Sequence, residues 1–179
     1  MLTRSVVGLL VLSGCVTPAA PPPEPLDGSV PEPFIALSRD FEGFESWEST
    51  EIGDETFPGE AEGPRVIYRS EPPAGAAYPV GAILVKVITP SDDPTTWEII
   101  AMAKRGAGFN PMGAKNWEWF RLVLVDGAPT ISWRGESPPL GMGYSLVPDS
   151  GITGACNTCH GLFPDHDYIL DEPFRPSSP

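Results

Sequence analysis

Cys156, Cys159 and His160 combine residue types and a spacing that specify a chemistry. They stand in the run Cys156-Asn157-Thr158-Cys159-His160, the CxxCH arrangement of a c-type haem attachment site. Each thiol can form a thioether to one haem vinyl group, and the histidine that follows is then held at the iron as an axial ligand. CxxC also serves zinc sites and dithiol redox centres. Zinc would need further ligands, and the chain holds only one other histidine, His166, and one other cysteine, Cys15, far upstream. A thioredoxin-like dithiol would lie near a βαβ pattern, and none surrounds Cys156. The expectation is one covalent haem c, attached through Cys156 and Cys159 with His160 on the iron.

The elements that must hold this motif read mostly as β. Residues 65–69 (RVIYR) form a short apolar run bounded by Gly63-Pro64 and Pro72-Pro73. Residues 81–89 (GAILVKVIT) are the strongest strand candidate, ended by Pro90. Residues 97–105 (WEIIAMAKR) fit helix or strand by periodicity, and Gly106, Gly108 and Pro111 favour strand by cutting the run short. Residues 117–126 (WEWFRLVLVD) form another strand, closed by an Asp126-Gly127 hairpin turn into 130–134. Residues 34–47 supply one N-terminal helix or a packed loop. The predicted fold is mainly β (α+β), an antiparallel sheet with a small helical element and the haem motif on a late loop. On the 81–89 strand Ala82, Leu84, Lys86 and Ile88 share one face, with Ile83, Val85 and Val87 on the other. Both faces are apolar, so Lys86 is partly buried or emerges at a rim, where a lysine also serves as an ordinary edge guard. Trp117, Trp119 and Trp133 read as core aromatics.

The ends of the chain carry addresses. Arg4, the apolar run from Val6 to Leu12 and Ser13-Gly14 before Cys15 describe a secretory signal over 1–14. Leu12-Ser13-Gly14-Cys15 resembles the bacterial lipobox, which implies lipidation at Cys15. The apolar run is far below the ~20 residues needed to span a bilayer, whereas two or three acyl chains anchor stably. Residues 15–33 are a proline-rich tether, 34–171 the folded domain, and 172–179 a frayed, proline-rich tail. Val16 after Cys15 favours the outer over the inner membrane, so the expected location is the periplasmic side of a bacterial envelope. The chain has 179 residues and a formal net charge of −13, with 24 carboxylates against 11 lysines and arginines. That length suits one domain, and that balance disfavours nucleic acid and anionic lipid while suiting a basic redox partner protein.

Several blocks, in this order, resemble the cytochrome P-460 and cytochrome c′-beta family. They are Arg65-Val66-Ile67-Tyr68, Tyr78-Pro79-Val80-Gly81 leading into Ala82-Ile83-Leu84-Val85-Lys86, Ala101-Met102-Ala103-Lys104, Asn116-Trp117-Glu118-Trp119-Phe120, and Cys156 to His160 with Asp167-Tyr168-Ile169 after it. The resemblance spans about residues 60–170. It implies an antiparallel β fold, commonly a homodimer, around a five-coordinate haem. In the P-460 branch a lysine is joined to the haem macrocycle and the enzyme oxidises hydroxylamine; in the c′-beta branch an apolar pocket binds nitric oxide. Lys86 matches the cross-linking lysine. The distal carboxylate of the enzyme branch would fall at about Ile100, where it is missing, and Glu98, two residues earlier, is the candidate base. Ile100 with Met102 would instead build an apolar wall suited to nitric oxide.

Arg105 is a candidate partner for a haem propionate or a bound anion, and Phe41, Phe44 and Phe109 are candidate capping aromatics that read more readily as core. His166 lies too close to His160 to reach the opposite haem face. Asp167 is a candidate orienter of the His160 ring, or simply a loop cap. The expected function is small nitrogen-oxide chemistry at an open iron site, with hydroxylamine oxidation passing electrons to an external acceptor. Non-catalytic nitric oxide binding and simple electron transfer are the alternatives, the last requiring six-coordinate iron.

Overall fold

A computed structural model describes residues 32–53, 60–136, 138 and 155–177; the signal segment, Cys15 and most of the tether lie outside the described residues. Among the described residues no helix is long and apolar enough to cross a membrane.

Among the described residues six strands form one sheet in simple sequence order, each antiparallel to the next. They are β1 (Glu48–Ile52), β2 (Arg65–Arg69), β3 (Ile83–Ile88), β4 (Glu98–Lys104), β5 (Trp117–Val125) and β6 (Ala128–Gly135). The fold is thus mainly antiparallel β with little helix, as the runs of β-branched and aromatic residues predict. The 97–105 segment is a strand, as expected. At the β5–β6 turn Asp126 and Gly127 have φ of 51° and 81°, the doubly positive backbone that Asp-Gly supplies to a tight hairpin. β1 is not legible as a strand from its residues. Glu-Ser-Thr-Glu-Ile carries no apolar alternation because β1 is a largely exposed sheet edge.

Both faces of the sheet are covered. On one, Val85, Val87, Ile99, Ala101, Phe120 and Leu122 pack beneath the N-terminal segment, which forms two 3-10 turns, Ser38–Phe41 and Phe44–Ser46. Phe41 and Phe44 are fully buried there, so they are core residues of this face. On the other, Ile67, Leu84, Met102, Trp117 and Trp119 pack against Ile169, Phe174 and Cys156 of the C-terminal segment. That segment holds α1 (Ala155–His160), so the motif rides on a short helix instead of the expected loop. The frayed tail expected over 172–179 is not seen for 172–177. Glu172–Phe174 forms a 3-10 turn, Phe174 is 1% exposed, and its carbonyl accepts the Tyr78 hydroxyl at 2.7 Å. An aromatic anchor within the proline-rich stretch accounts for the difference; residues 178 and 179 lie outside the described residues.

Candidate functional site

Directly opposed residues of antiparallel strands point to the same face. One row across the sheet is Ile67, Lys86, Ile100 and Arg121, and the next is Arg69, Leu84, Met102 and Trp119. The C-terminal segment lies over these rows, bringing Lys86 to the same face as Cys156, Cys159 and His160.

α1 is too short to be stable alone; side chains pin it to the sheet. Asn157, between the two cysteines, makes five hydrogen bonds. Its Oδ1 accepts from Asn110 Nδ2 at 2.8 Å, Trp119 Nε1 at 2.9 Å and the Ala114 N–H at 3.2 Å. Its Nδ2 donates to the Glu136 carbonyl at 2.9 Å and to Asn110 Oδ1 at 3.1 Å. Gly113 makes room for this amide, since a Cβ there would lie 2.2 Å from Asn157 Cγ. Gly113→Ala is therefore expected to displace Asn157 and cost about 1–3 kcal/mol, a typical overpacking penalty. Urea denaturation of the purified chain checks it.

The His160 ring is set from two sides. Its Nδ1 lies 2.6 Å from the Tyr168 carbonyl oxygen. A carbonyl only accepts, so Nδ1 carries the hydrogen and Nε2 keeps its lone pair. Burial pushes the ring pKa down to about 4, the Tyr168 bond opposes this, and the Lys86 ammonium adds to it. The imidazole is therefore neutral at pH 7, the form that ligates metal. The Trp119 ring lies against it, centroids 4.6 Å apart and planes at 54°.

Asp167 does not orient His160; the carbonyl of the next residue does. Asp167 and Tyr168 both adopt left-handed backbone, with φ of 51° and 66°, a conformation that costs free energy outside glycine. Buried contacts hold it. The Asp167 carboxylate accepts the Tyr78 N–H at 2.8 Å and pairs with Lys104, and its carbonyl accepts the Trp117 indole N–H at 2.9 Å. Asp167 thus acts one step removed, by fixing the turn that presents the Tyr168 carbonyl. His166 stands apart, with Nδ1 3.5 Å from the Pro176 carbonyl.

Cys156 and Cys159 are both free thiols. Burial drives the Cys156 pKa up to about 12, against the pull of Lys86. That is opposite to the lowered pKa of a catalytic dithiol. Cys159 lines a cavity of about 560 Å³ together with Ile52, Leu162, Phe163 and Leu170 on its apolar side and Asp171, Glu172 and Arg175 on its charged side. Among the described residues no three His, Cys, Asp or Glu side chains converge on a metal-ion cage. Two thiols and a neutral imidazole on one short helix, beside a cavity with an apolar side and a charged side, fit a flat macrocycle held along one edge.

The Lys86 side chain is 22% exposed and pairs with Glu60, whose own side chain is buried and also faces Arg65 at 3.4 Å. Glu98 lies on the same sheet face, where its carboxylate accepts the Ala61 N–H at 2.7 Å and stands 3.7 Å from Arg121. Arg105 is not brought to this face. It pairs at 3.1 Å with Glu118, which alternation places on the opposite face and which also binds Arg134; Phe109 lies under the Arg105 guanidinium at 4.3 Å.

Four groups at the site had no sequence signal. Asn157 occupies a position that CxxCH leaves open, and Tyr168 acts through its backbone. Trp119 reads as an ordinary core aromatic, and Glu60 sits in a Gly- and Glu-rich stretch that suggests a loop. Comparison with protein-family models, characterised proteins and solved structures gives no match.

Proposed function

We propose that this chain is a mono-haem c-type cytochrome of the cytochrome P-460 and cytochrome c′-beta kind, lipid-anchored at Cys15 on the periplasmic side of a bacterial envelope. The observation that carries the reading is His160: neutral, bonded through Nδ1 to Tyr168, with Nε2 keeping its lone pair, directly after two free thiols on a helix beside a cavity that Cys159 lines. When bound there, the haem supplies an iron that takes a small nitrogen oxide and exchanges electrons with an external partner protein. The chain's own residues do the rest. Cys156 and Cys159 would hold the macrocycle, and His160 would ligate the iron through Nε2. Lys86 reaches the same face and is the candidate cross-link. Glu60, Glu98 and Asp171 are carboxylates of this region that could take protons from hydroxylamine.

Nitric oxide binding without turnover is the second reading. It is favoured by the engagement of Glu60 and Glu98 with cations and by the apolar Ile100 and Met102 beside Lys86. The optical spectrum of the dithionite-reduced protein, produced with a haem-maturation system, separates the two. A broad ferrous Soret band shifted strongly to the red, restored to ordinary position in Lys86→Met, is the expected result for the enzyme. Hydroxylamine oxidation should then fall in Glu60→Gln more than in Glu98→Gln, because Glu60 pairs with Lys86 itself. An ordinary five-coordinate high-spin spectrum, unchanged in Lys86→Met, would rule out the cross-link and leave nitric oxide binding.

A further inference from the structure

One hydrogen bond does not fix the plane of an imidazole. The Nδ1 contact to Tyr168 leaves the ring free to swing about the N–H···O direction, and the histidine χ2 torsion is intrinsically broad. A second contact, ring against ring, removes that freedom, and Trp119 supplies it with centroids 4.6 Å apart and planes tilted by 54°. An indole can itself tilt unless its N–H is held, and Asn157 Oδ1 holds it at 2.9 Å. The Asn157 amide is fixed in turn. The Ala114 N–H and the Trp119 indole can only donate and the Glu136 carbonyl can only accept, so the oxygen and nitrogen of the amide cannot exchange places. Asn110 closes the arrangement with a reciprocal amide pair. The contacts therefore run from the second residue of the motif, through the sheet, back to the last.

We propose that Asn157 and Trp119 are positioning residues that set the orientation of the His160 imidazole, and through it the geometry of the iron–histidine bond. The inference rests on the haem reading above and adds a role for a motif position that the attachment chemistry leaves open. A contact that merely stabilised the domain would change its unfolding without changing the bond at the iron.

The test is resonance Raman spectroscopy of the ferrous holoprotein in wild type, Trp119→Phe, Asn157→Ala and Trp133→Phe. Trp119→Phe keeps an aromatic ring in place and removes the N–H that Asn157 holds. Trp133 packs in the same apolar cluster and serves as the control for lost packing. The expected result is a shifted and broadened iron–histidine stretching band in Trp119→Phe and Asn157→Ala, with the wild-type band retained in Trp133→Phe even where its Tm falls. If Asn157→Ala yields no holoprotein, the band in Trp119→Phe decides. Unchanged bands in the haem-loaded Trp119→Phe and Asn157→Ala proteins would overturn this inference alone, as would an equal shift in Trp133→Phe. A wild-type chain that acquires no covalent haem in a competent maturation system would overturn the haem reading, and this inference with it.

Discussion

In a Lys86→Met background, which removes the candidate cross-link, a chain carrying Cys156→Ser and Cys159→Ser together is expected to lose all covalently bound haem while keeping its sheet. The thioethers need sulfur, and a serine hydroxyl does not replace a thiol in adding to a vinyl group. Neither cysteine carries the fold. Both are only partly buried on α1, whereas the core beneath them is built from fully buried residues such as Trp117 and Ile169. The contacts that pin α1 to the sheet belong to Asn157, which the double variant leaves in place. Mass spectrometry of the denatured chain reads the covalent haem, and far-UV circular dichroism reads the sheet. Each single variant should keep one attachment point and load only in part. Full loading of the double variant would refute attachment at these residues outright.

Removing the Asp167 carboxylate should produce the largest loss of stability. Lys104 and Asp167 form a buried pair, their side chains 7% and 8% exposed. Asp167→Ala strands the Lys104 ammonium away from water and leaves the Tyr78 N–H without an acceptor. Breaking a buried pair from one side costs about 3–5 kcal/mol, because the surviving charge remains uncompensated. Urea denaturation measures that loss directly. Asp167→Asn should cost less, since an amide oxygen can still accept from Tyr78.

The same pair predicts a pH dependence. Burial lowers the Lys104 pKa from its ordinary 10.5, and Asp167 pulls it back up. A lysine whose folded pKa lies below its unfolded value binds more protons when unfolded. Stability from this group therefore rises with pH between the lowered folded pKa and 10.5, and is flat below that window. In Asp167→Asn the opposing pull is gone, so the folded pKa drops and the rise should begin at lower pH. The Asp167→Asn turn should also loosen the Tyr168 carbonyl, and with it the His160 tautomer, which nitrogen-15 shifts of the imidazole would report.

The strands of the sheet centre were legible because their residues state their environment. β3 and β4 are apolar on both faces, and both are covered, one by the N-terminal 3-10 turns and one by the C-terminal segment. The β5–β6 hairpin was legible from two residues, since Asp-Gly is the pair that most readily takes two positive φ values in succession. β1 was not, because an exposed edge strand needs only backbone pairing and asks little of its side chains. The tail was misread because composition averages over a window, and one buried phenylalanine, Phe174, outweighs the prolines around it.

At the site, the sequence by itself determined which atoms are available: two thiols and an imidazole at a covalently meaningful spacing, and a lysine on an apolar strand. Those are local facts, fixed by residue type and distance along the chain. Only the tertiary structure decided what each atom can do. It turned Lys86 toward the motif and Arg105 away from it, because strand alternation assigns faces only once the register is known. It gave the orientation of His160 to a backbone carbonyl, which no side-chain pattern encodes, and the anchoring of α1 to an asparagine that the motif does not specify. It also tied Glu98 to Arg121 and Lys86 to Glu60, partners 23 and 26 residues away. Hydrogen bonds and ion pairs between distant segments exist only after the sheet has assembled, which is why the chemistry of the motif could be read from the chain and its control could not.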